Sequence, residues 1–271
     1  MKEASDYLHD NLTDETTLTQ VNSLFRETYP TWLATEPPSD ADAQNFFTRA
    51  GITDSTQKTA INTLTTSLKS AGLWTKMRAL YPLVGGTAAS HSHNLKSSSY
   101  QLTYAGPMAH SSDGIMGAGG IAETGLNIQS TTPESLAIGA YCKTNSPDAS
   151  PDIGSYLSPY DYSITSRWNG DGVSYGNLGN ENDACSATIG DSRGFWIVSR
   201  ITAHQEFYRN GGLVGSIDAA QGPQPNSTWN IAGAQHIVAL AFISDGLSDV
   251  ECSQLSTMVE TCQTALGRQN P

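Results

Sequence analysis

The sequence predicts a mainly β protein, a jelly-roll type of sandwich, with an α-helical N-terminal segment and a C-terminal helix. Three observations predict it. From about Leu83 to Ser244, short strand-prone runs are broken by Gly, Pro, Asn, Asp and Ser, the texture of a sandwich. Before and after that stretch, apolar residues recur at helical spacing. Within it, "EFYRNGGLVGS" (206–216) reads as two strands meeting at a tight turn, because Asn210-Gly211 and Gly211-Gly212 supply the positive backbone angles of primed turns.

The helical elements come first in order. Thr13-Asp14-Glu15-Thr16 reads as a cap, followed by Leu18, Val21, Leu24 and Phe25 at helical spacing, and Tyr29-Pro30 stops that helix. Glu36-Pro37-Pro38-Ser39-Asp40 reads as a linker carrying a fresh cap. Ala43, Phe46, Phe47 and Ala50 make one apolar face, ended by Gly51. Thr53-Asp54 opens another helix with a stripe of Ala60, Ile61, Leu64, Leu68 and Ala71, closed by Gly72. The strand runs follow, among them 100–104, 135–143, 194–202, 205–209 and 236–243. The tail turns helical at the cap Leu247-Ser248-Asp249, with Val250, Leu255, Met258, Val259, Cys262 and Leu266 as its stripe and Gly267 as its end. The expected division is a helical attachment or oligomerisation segment over 1–82 and a β domain over 83–271 that folds alone.

The chain has 271 residues, and its formal net charge is −12 from 14 basic and 26 acidic residues. Phosphate backbones need clustered Lys and Arg, so nucleic acid is not an expected partner. Anionic membrane surfaces are disfavoured for the same reason, and no apolar run reaches the ~20 residues of a membrane span. The first residues, "MKEASD", lack the apolar core of a secretion signal. Cys142, Cys185, Cys252 and Cys262 include no CxxC pair and read as reduced packing thiols.

Three stretches, "ESLAIGAYCKT" (134–144), "GFWIVSRITAHQEFYRNGGLVGS" (194–216) and "IVALAFISDGLSDVECSQL" (237–255), occur in an order that resembles the concanavalin A-like lectin/glucanase superfamily in its LamG-like branch. Gly120 to Asn127 resembles the opening strand, Tyr141 the early aromatic position, and Trp196 the strand before the hairpin. Residues 50–96, "AGITDSTQKTAINTLTTSLKSAGLWTKMRALYPLVGGTAASHSHNLK", resemble the helical lead-in of tailed-bacteriophage structural proteins that carry a LamG-like domain, and "TALGRQ" (264–269) fits the same group. The resemblance implies a concanavalin A-like jelly roll in a virion protein exposed on the particle surface. Such a protein would be a capsid decoration, head-fibre or small tail subunit. Its expected partners are other virion proteins (capsid, neck or tail), further copies of itself and a host-surface glycan. A carbohydrate-binding module without a virion role, or a glycoside hydrolase, are the alternatives.

Glycan binding needs aromatic faces for pyranose C–H groups and polar groups for hydroxyls. Tyr160, Tyr162, Trp168, Asn169, Asp171, Tyr175 and Asn177 supply both in one stretch and are the expected ligand-binding residues. Trp196 and Tyr141 fall in regular strand patterns and read as core. Hydrolysis needs a carboxylate pair spanning one sugar. The nearest candidates, Glu181 and Asp183, lack a third carboxylate and read as a solvated loop, so no enzyme activity is expected. His91-Ser92-His93 with His110 would offer imidazoles to a metal, yet no acidic partners lie near them, and they read as polar loop residues. No cofactor is expected. Calcium would suit only the loops Asp148–Asp152 and Asn169–Gly172, which read as turns. Leu8, Leu12, Leu18, Val21 and Phe25 are the expected oligomer or attachment contacts, since an apolar face without a core must be buried on something.

Overall fold

The computed structural model describes residues 39–219, 222–233 and 235–270. Leu8, Leu12, Leu18, Val21 and Phe25 lie outside the described residues. Two helices open the described chain. Helix α1 (Ala41–Ala50) starts at Asp40, whose carboxylate accepts from Asp42 N–H, and ends at Gly51 in the left-handed conformation. Helix α2 (Ser55–Ser70) is capped by Asp54, which accepts from Gln57 N–H. Lys69 then reaches back to Asp40 at 2.6 Å and ties the end of α2 to the start of α1. The apolar faces expected of both helices are buried, except that Ala71 is exposed.

Fifteen strands among the described residues form two antiparallel sheets. In the first sheet β13 (Gly212–Asp218), β12 (His204–Arg209), β11 (Gly194–Ile201), β6 (Ser135–Cys142), β15 (Val238–Ser244), β4 (Gly114–Gly117) and β3 (Met108–Ser111) lie side by side, and β1 (Met77–Tyr81) also pairs with β15. The second runs β10 (Cys185–Ala187), β9 (Ser174–Asn180), β8 (Tyr160–Thr165), β7 (Ile153–Leu157), β14 (Thr228–Ile231), β5 (Ile121–Asn127) and β2 (Thr103–Ala105). The expected hairpin is present: β12 and β13 are joined by Asn210-Gly211, with φ of 50° and 80°. A short helix, α3 (Ala88–His91), sits between β1 and β2, and α4 (Asp249–Ala265) closes the chain through a Ser248/Glu251 capping box.

The first sheet has no solvent face at its centre. Every residue of β15 is buried, as is all but the first of β6 and all but the last of β11. Alternate residues serve two cores. Ile138, Ala140, Trp196, Val198 and Ile243 face the second sheet and meet Tyr162, Ile164, Leu178 and Trp229. Ala137, Tyr141, Phe195, Ile197 and Phe242 face the helices and meet Phe46, Phe47, Ile61, Leu64, Leu68, Leu255 and Val259. Trp196 and Tyr141 are core residues as expected. All four cysteines are buried, free thiols. Val250, expected in the α4 stripe, is 65 % exposed.

Residues Asp40–Pro271 form one compact unit. The boundary expected at residue 82 cuts through it: β1 is hydrogen-bonded to β15, and α1 and α2 fill the core on the sheet's outer side. A periodic stripe tells that a helix is buried, not on what, and the surface that receives it comes from strands more than sixty residues downstream.

A buried ion pair links the two sheets. His236 and Asp152 are fully buried, with Nδ1 at 2.6 Å from a carboxylate oxygen. Asp152 also accepts from Ser166 N–H at 2.7 Å, and the other imidazole nitrogen donates to Ser146 O. Burial opposes both charges, yet their contact outweighs it, so the His236 pKa is raised and that of Asp152 lowered. A raised histidine contributes stability below its unfolded value of 6.5, lost as pH rises through the folded one. A lowered aspartate contributes above its unfolded value of 3.8, lost as pH falls through the folded one. The pair therefore stabilises most in the window between those two unfolded values.

Two outcomes are expected. A fragment of residues 40–271 unfolds cooperatively. A fragment of 83–271 does not, because each of the large helix residues it lacks contributes about 1.5–3 kcal/mol against a total stability of about 5–15 kcal/mol. Circular dichroism melts of the two fragments decide this, and a sharp transition from 83–271 would restore the separate domain. Second, His236→Leu leaves the Asp152 charge buried without its counterion and costs about 3–5 kcal/mol in urea denaturation near pH 6. A loss under about 0.5 kcal/mol, the range of ordinary surface changes, would show that the pair is unimportant.

Candidate functional site

The second sheet keeps an outward face, and the site is built there. Side chains alternate along a strand. On β8, Tyr162 and Ile164 point into the inter-sheet core, so Asp161, Ser163 and Thr165 point out. The register with β9 sets Ser163 opposite Asn177 and Thr165 opposite Tyr175. These strands floor a cleft of about 570 Å³. Trp168, Asp171 and Tyr175 form one wall, Glu181 and Asn182 another, and Ser150 and Pro151 a third.

The Trp168 wall is a tight loop. Trp168 and Val173 are joined by a backbone bond of 2.8 Å, as are Gly172 N–H and Trp168 O. Gly170 lies against the indole so closely that a Cβ there would stand 2.5 Å from its Nε1. The indole is left 37 % exposed. Asp171 accepts from Val173 N–H at 2.8 Å and from Tyr175 Oη at 2.6 Å. Those bonds hold its carboxyl below the ordinary value, and the same contact raises the Tyr175 phenol. The Ser150-Pro151 wall is set by Asp148, which accepts from Ser150 N–H and Gln235 N–H, both at 2.8 Å, and forms a β-bridge with Trp168.

Asp161 is the unusual group of the floor. Burial pushes its carboxyl up to about 6; the Ser163 hydroxyl, donating at 2.5 Å, opposes that, and the charge of Glu181 adds to it. Asn177 lies buried beside it, its amide donating to Asn180 O at 2.6 Å and its Oδ1 without a partner.

Of the seven expected ligand-binding residues, three line the cleft: Trp168, Asp171 and Tyr175. Tyr162 is a correction. It is fully buried, edge-on to Trp229 at 6.2 Å, and belongs to the core. Tyr160 is half-buried against the same core, Asn177 is buried beneath the floor, and Asn169 is exposed outside the lining. Asp161, Ser163, Thr165 and Asn182 were missed, and Glu181, weighed only as a catalytic carboxylate and read as a solvated loop residue, lines the cleft as well. The signal for the first three was present, because in "YDYSIT" a period of two puts the tyrosines on one face and Asp161 and Ser163 on the other.

Glu181 and Asp183 do not share a site: Glu181 lines the cleft, while the charge of Asp183 acts on Arg200, which is buried on the first sheet. His91 is not a loop residue but ends α3, buried, with Nε2 accepting from Gly86 N–H, so its Nδ1–H donates to His110 Nδ1 at 3.1 Å. Burial first, then His110 and Arg268, push its pKa to about 3. Among the described residues no three His, Cys, Asp or Glu side chains come together as a metal site. A larger hollow, about 780 Å³, lies between α4 and the first sheet, but its one charged lining group, Glu260, already accepts from Tyr141 Oη at 3.0 Å.

No family model matches the chain, and no curated protein matches its sequence. Solved structures do match. Domain 4 of AbnA, a GH43 extracellular arabinanase from Geobacillus stearothermophilus, in complex with arabinotriose, aligns with TM-score 0.50 and 13 % identity over 67 % of this chain and 98 % of that one. The binding domain of botulinum neurotoxin serotype D aligns at 0.47 and 13 % over 68 % of this chain. Trypanosoma rangeli sialidase in complex with sialic acid aligns at 0.43 and 13 % over 67 %. The chain spans about half of the toxin domain, 52 %, and 33 % of the sialidase chain. What this likeness shows is a fold class, the antiparallel two-sheet sandwich, here with a C-terminal helix.

The carboxyl of Asp161 is held above its unfolded value, so the folded chain binds more protons and stability falls as pH rises from 3.8 towards about 6. Asp161→Asn is expected to raise stability by about 1–3 kcal/mol near pH 7 and by almost nothing near pH 3.5. Thermal melts at the two pH values check this; an equal effect at both would show that ionisation is not the cause.

Proposed function

We propose that this protein is a non-enzymatic glycan-binding sandwich, and that its ligand lies in the cleft on the outer face of the second sheet. One observation carries the reading: an exposed indole and a tyrosine stand beside carboxylates, hydroxyls and an amide in one open cleft. Concave sites that combine aromatic surface with a few placed polar groups are where small ligands bind. The arabinanase domain, solved with arabinotriose, has the same fold and supports the reading. The placement on a phage virion is supported by the sequence resemblance over 50–96 and 264–269, and attachment or oligomerisation through residues 1–50 by the apolar Leu8, Leu12, Leu18, Val21 and Phe25 of that segment. Mass spectrometry of purified particles tests that placement.

A glycan array with the full chain tests the binding. Trp168→Ala is expected to weaken binding at least about tenfold, some 1.4 kcal/mol. The variant is expected to stay folded, with a cooperative melt, although the packing of the indole on Gly170 is lost. Binding unchanged in Trp168→Ala would move the ligand elsewhere. A glycoside hydrolase is the second reading, favoured by the raised Asp161 carboxyl in the same cleft as Glu181. No reducing-sugar release is expected. Release that disappears in both Asp161→Asn and Glu181→Gln would replace the binding reading with the hydrolytic one.

A further inference from the structure

We infer that the cleft takes neutral oligosaccharides and rejects acidic ones, those bearing carboxylate, sulfate or phosphate. The inference rests on the glycan reading above and adds the class of ligand to it.

The lining carries three acidic side chains, Asp161, Asp171 and Glu181, and no Lys, Arg or His. They come from three places: Asp161 from the β8 floor, Asp171 from the Trp168 loop, and Glu181 from the segment after β9. A bound sugar would lie among them. Recognition of a carboxylate or sulfate calls for a guanidinium fork or several free N–H and O–H donors. The guanidinium next to the Trp168 loop, Arg167, donates to Asn145 Oδ1 at 3.2 Å and is not part of the lining. Arg200 is buried and donates to Ala219 O at 2.9 Å.

Two of the hydroxyls in the lining are committed. The Ser163 hydroxyl donates to Asp161, and the Tyr175 hydroxyl donates to Asp171. What the lining carries in surplus is negative charge, three carboxyl groups with no basic side chain among them. A ligand that fits must therefore bring hydrogen-bond donors without negative charge, and sugar hydroxyls do that. The net charge of −12 adds long-range repulsion of anions in the same sense.

The test compares matched pairs on the full chain: galactotriose with trigalacturonate, and lactose with 3′-sialyllactose, by calorimetry at about 20 mM and about 500 mM NaCl, where screening lengths differ several-fold. The neutral member of a pair is expected to bind at least about tenfold tighter at low salt. The gap should narrow at high salt and close in the Asp161→Asn/Glu181→Gln double variant. Should that variant fail to fold, Asp171→Asn carries the same comparison from an exposed position. An acidic member that binds as tightly as its neutral partner, through a site lost in Trp168→Ala, overturns the inference while leaving the glycan reading intact. So does a gap indifferent to both salt and charge removal, which would make the selection steric. If neither member nor any neutral glycan binds in a Trp168-dependent way, the glycan reading itself fails and the inference goes with it.

Discussion

The rest of the structure depends on the burial of the first sheet on both faces. The central strands of that sheet, β6, β11 and β15, carry apolar residues at consecutive positions and leave nothing for water. One face is met by the second sheet. The other needs a layer of its own, which α1, α2 and α4 provide. Polar ties fix that layer in place. Lys76 meets Glu251 at the start of α4, and Arg78 meets Asp245 just before it. Arg268, past the end of α4, is buried. Its guanidinium donates to Pro82 O, Leu83 O and Ala239 O and to Gln263 Oε1, all within 3.1 Å. Those carbonyls lie beside β1 and in β15, so the chain's last turn is clamped to the sheet that its helix covers.

With one sheet sealed in this way, an outward sheet face is left on the second, and the candidate site occupies it. The polar contacts that join the two sheets also shape the cleft. Asp152, held by His236, fixes the start of β7, and Asp148, four residues earlier, is bonded to the backbone of Ser150 and Gln235. Ser150 and Pro151 lie between them and form a wall of the cleft. A loop that reads in sequence as a turn or a calcium loop serves instead as a strut, its carboxylates spent on backbone N–H groups and an imidazole. A site supported by bonded backbone in this way is held rigid before a ligand arrives, which lowers the cost of binding.

Helix faces, caps at Asp40, Asp54 and Ser248, and the Asn210-Gly211 hairpin were legible because each is written in neighbouring residues. The boundary near 82 was misread because "MRALY" is too short to declare itself a strand, and its partner lies far along the chain. The cleft was half legible. Aromatic richness drew attention to 160–177, and that located the right strands and the right loop. It could not say which tyrosines face inward, because β8 and β9 are covered on the inner side and floor a cleft on the other, so polar and aromatic residues both occur at buried positions. Arg268 gave no signal at all, since an arginine near a chain end reads as solvated until its carbonyl partners are seen.

The same distinction bears on what the resemblance over residues 50–96 reports. Its apolar members Ile52, Ala60, Ile61, Leu64, Leu68, Leu73, Trp74, Leu80 and Leu95 are buried, most of them in the layer that covers the first sheet. Lys69 and Lys96 stand over the Trp74 ring at 5.3 and 4.5 Å, and Lys96 also donates to Trp74 O. Packing against the first sheet constrains those residues. Similarity there is evidence about scaffold, and a scaffold does not determine what is bound. The cleft is under the opposite pressure. Packing alone would place a neutral side chain at Asp161, whose carboxyl is costly to ionise in its buried position beside Glu181. Asp161 nonetheless lines the cleft, and carboxyls perturbed by burial in a cleft are a mark of functional sites.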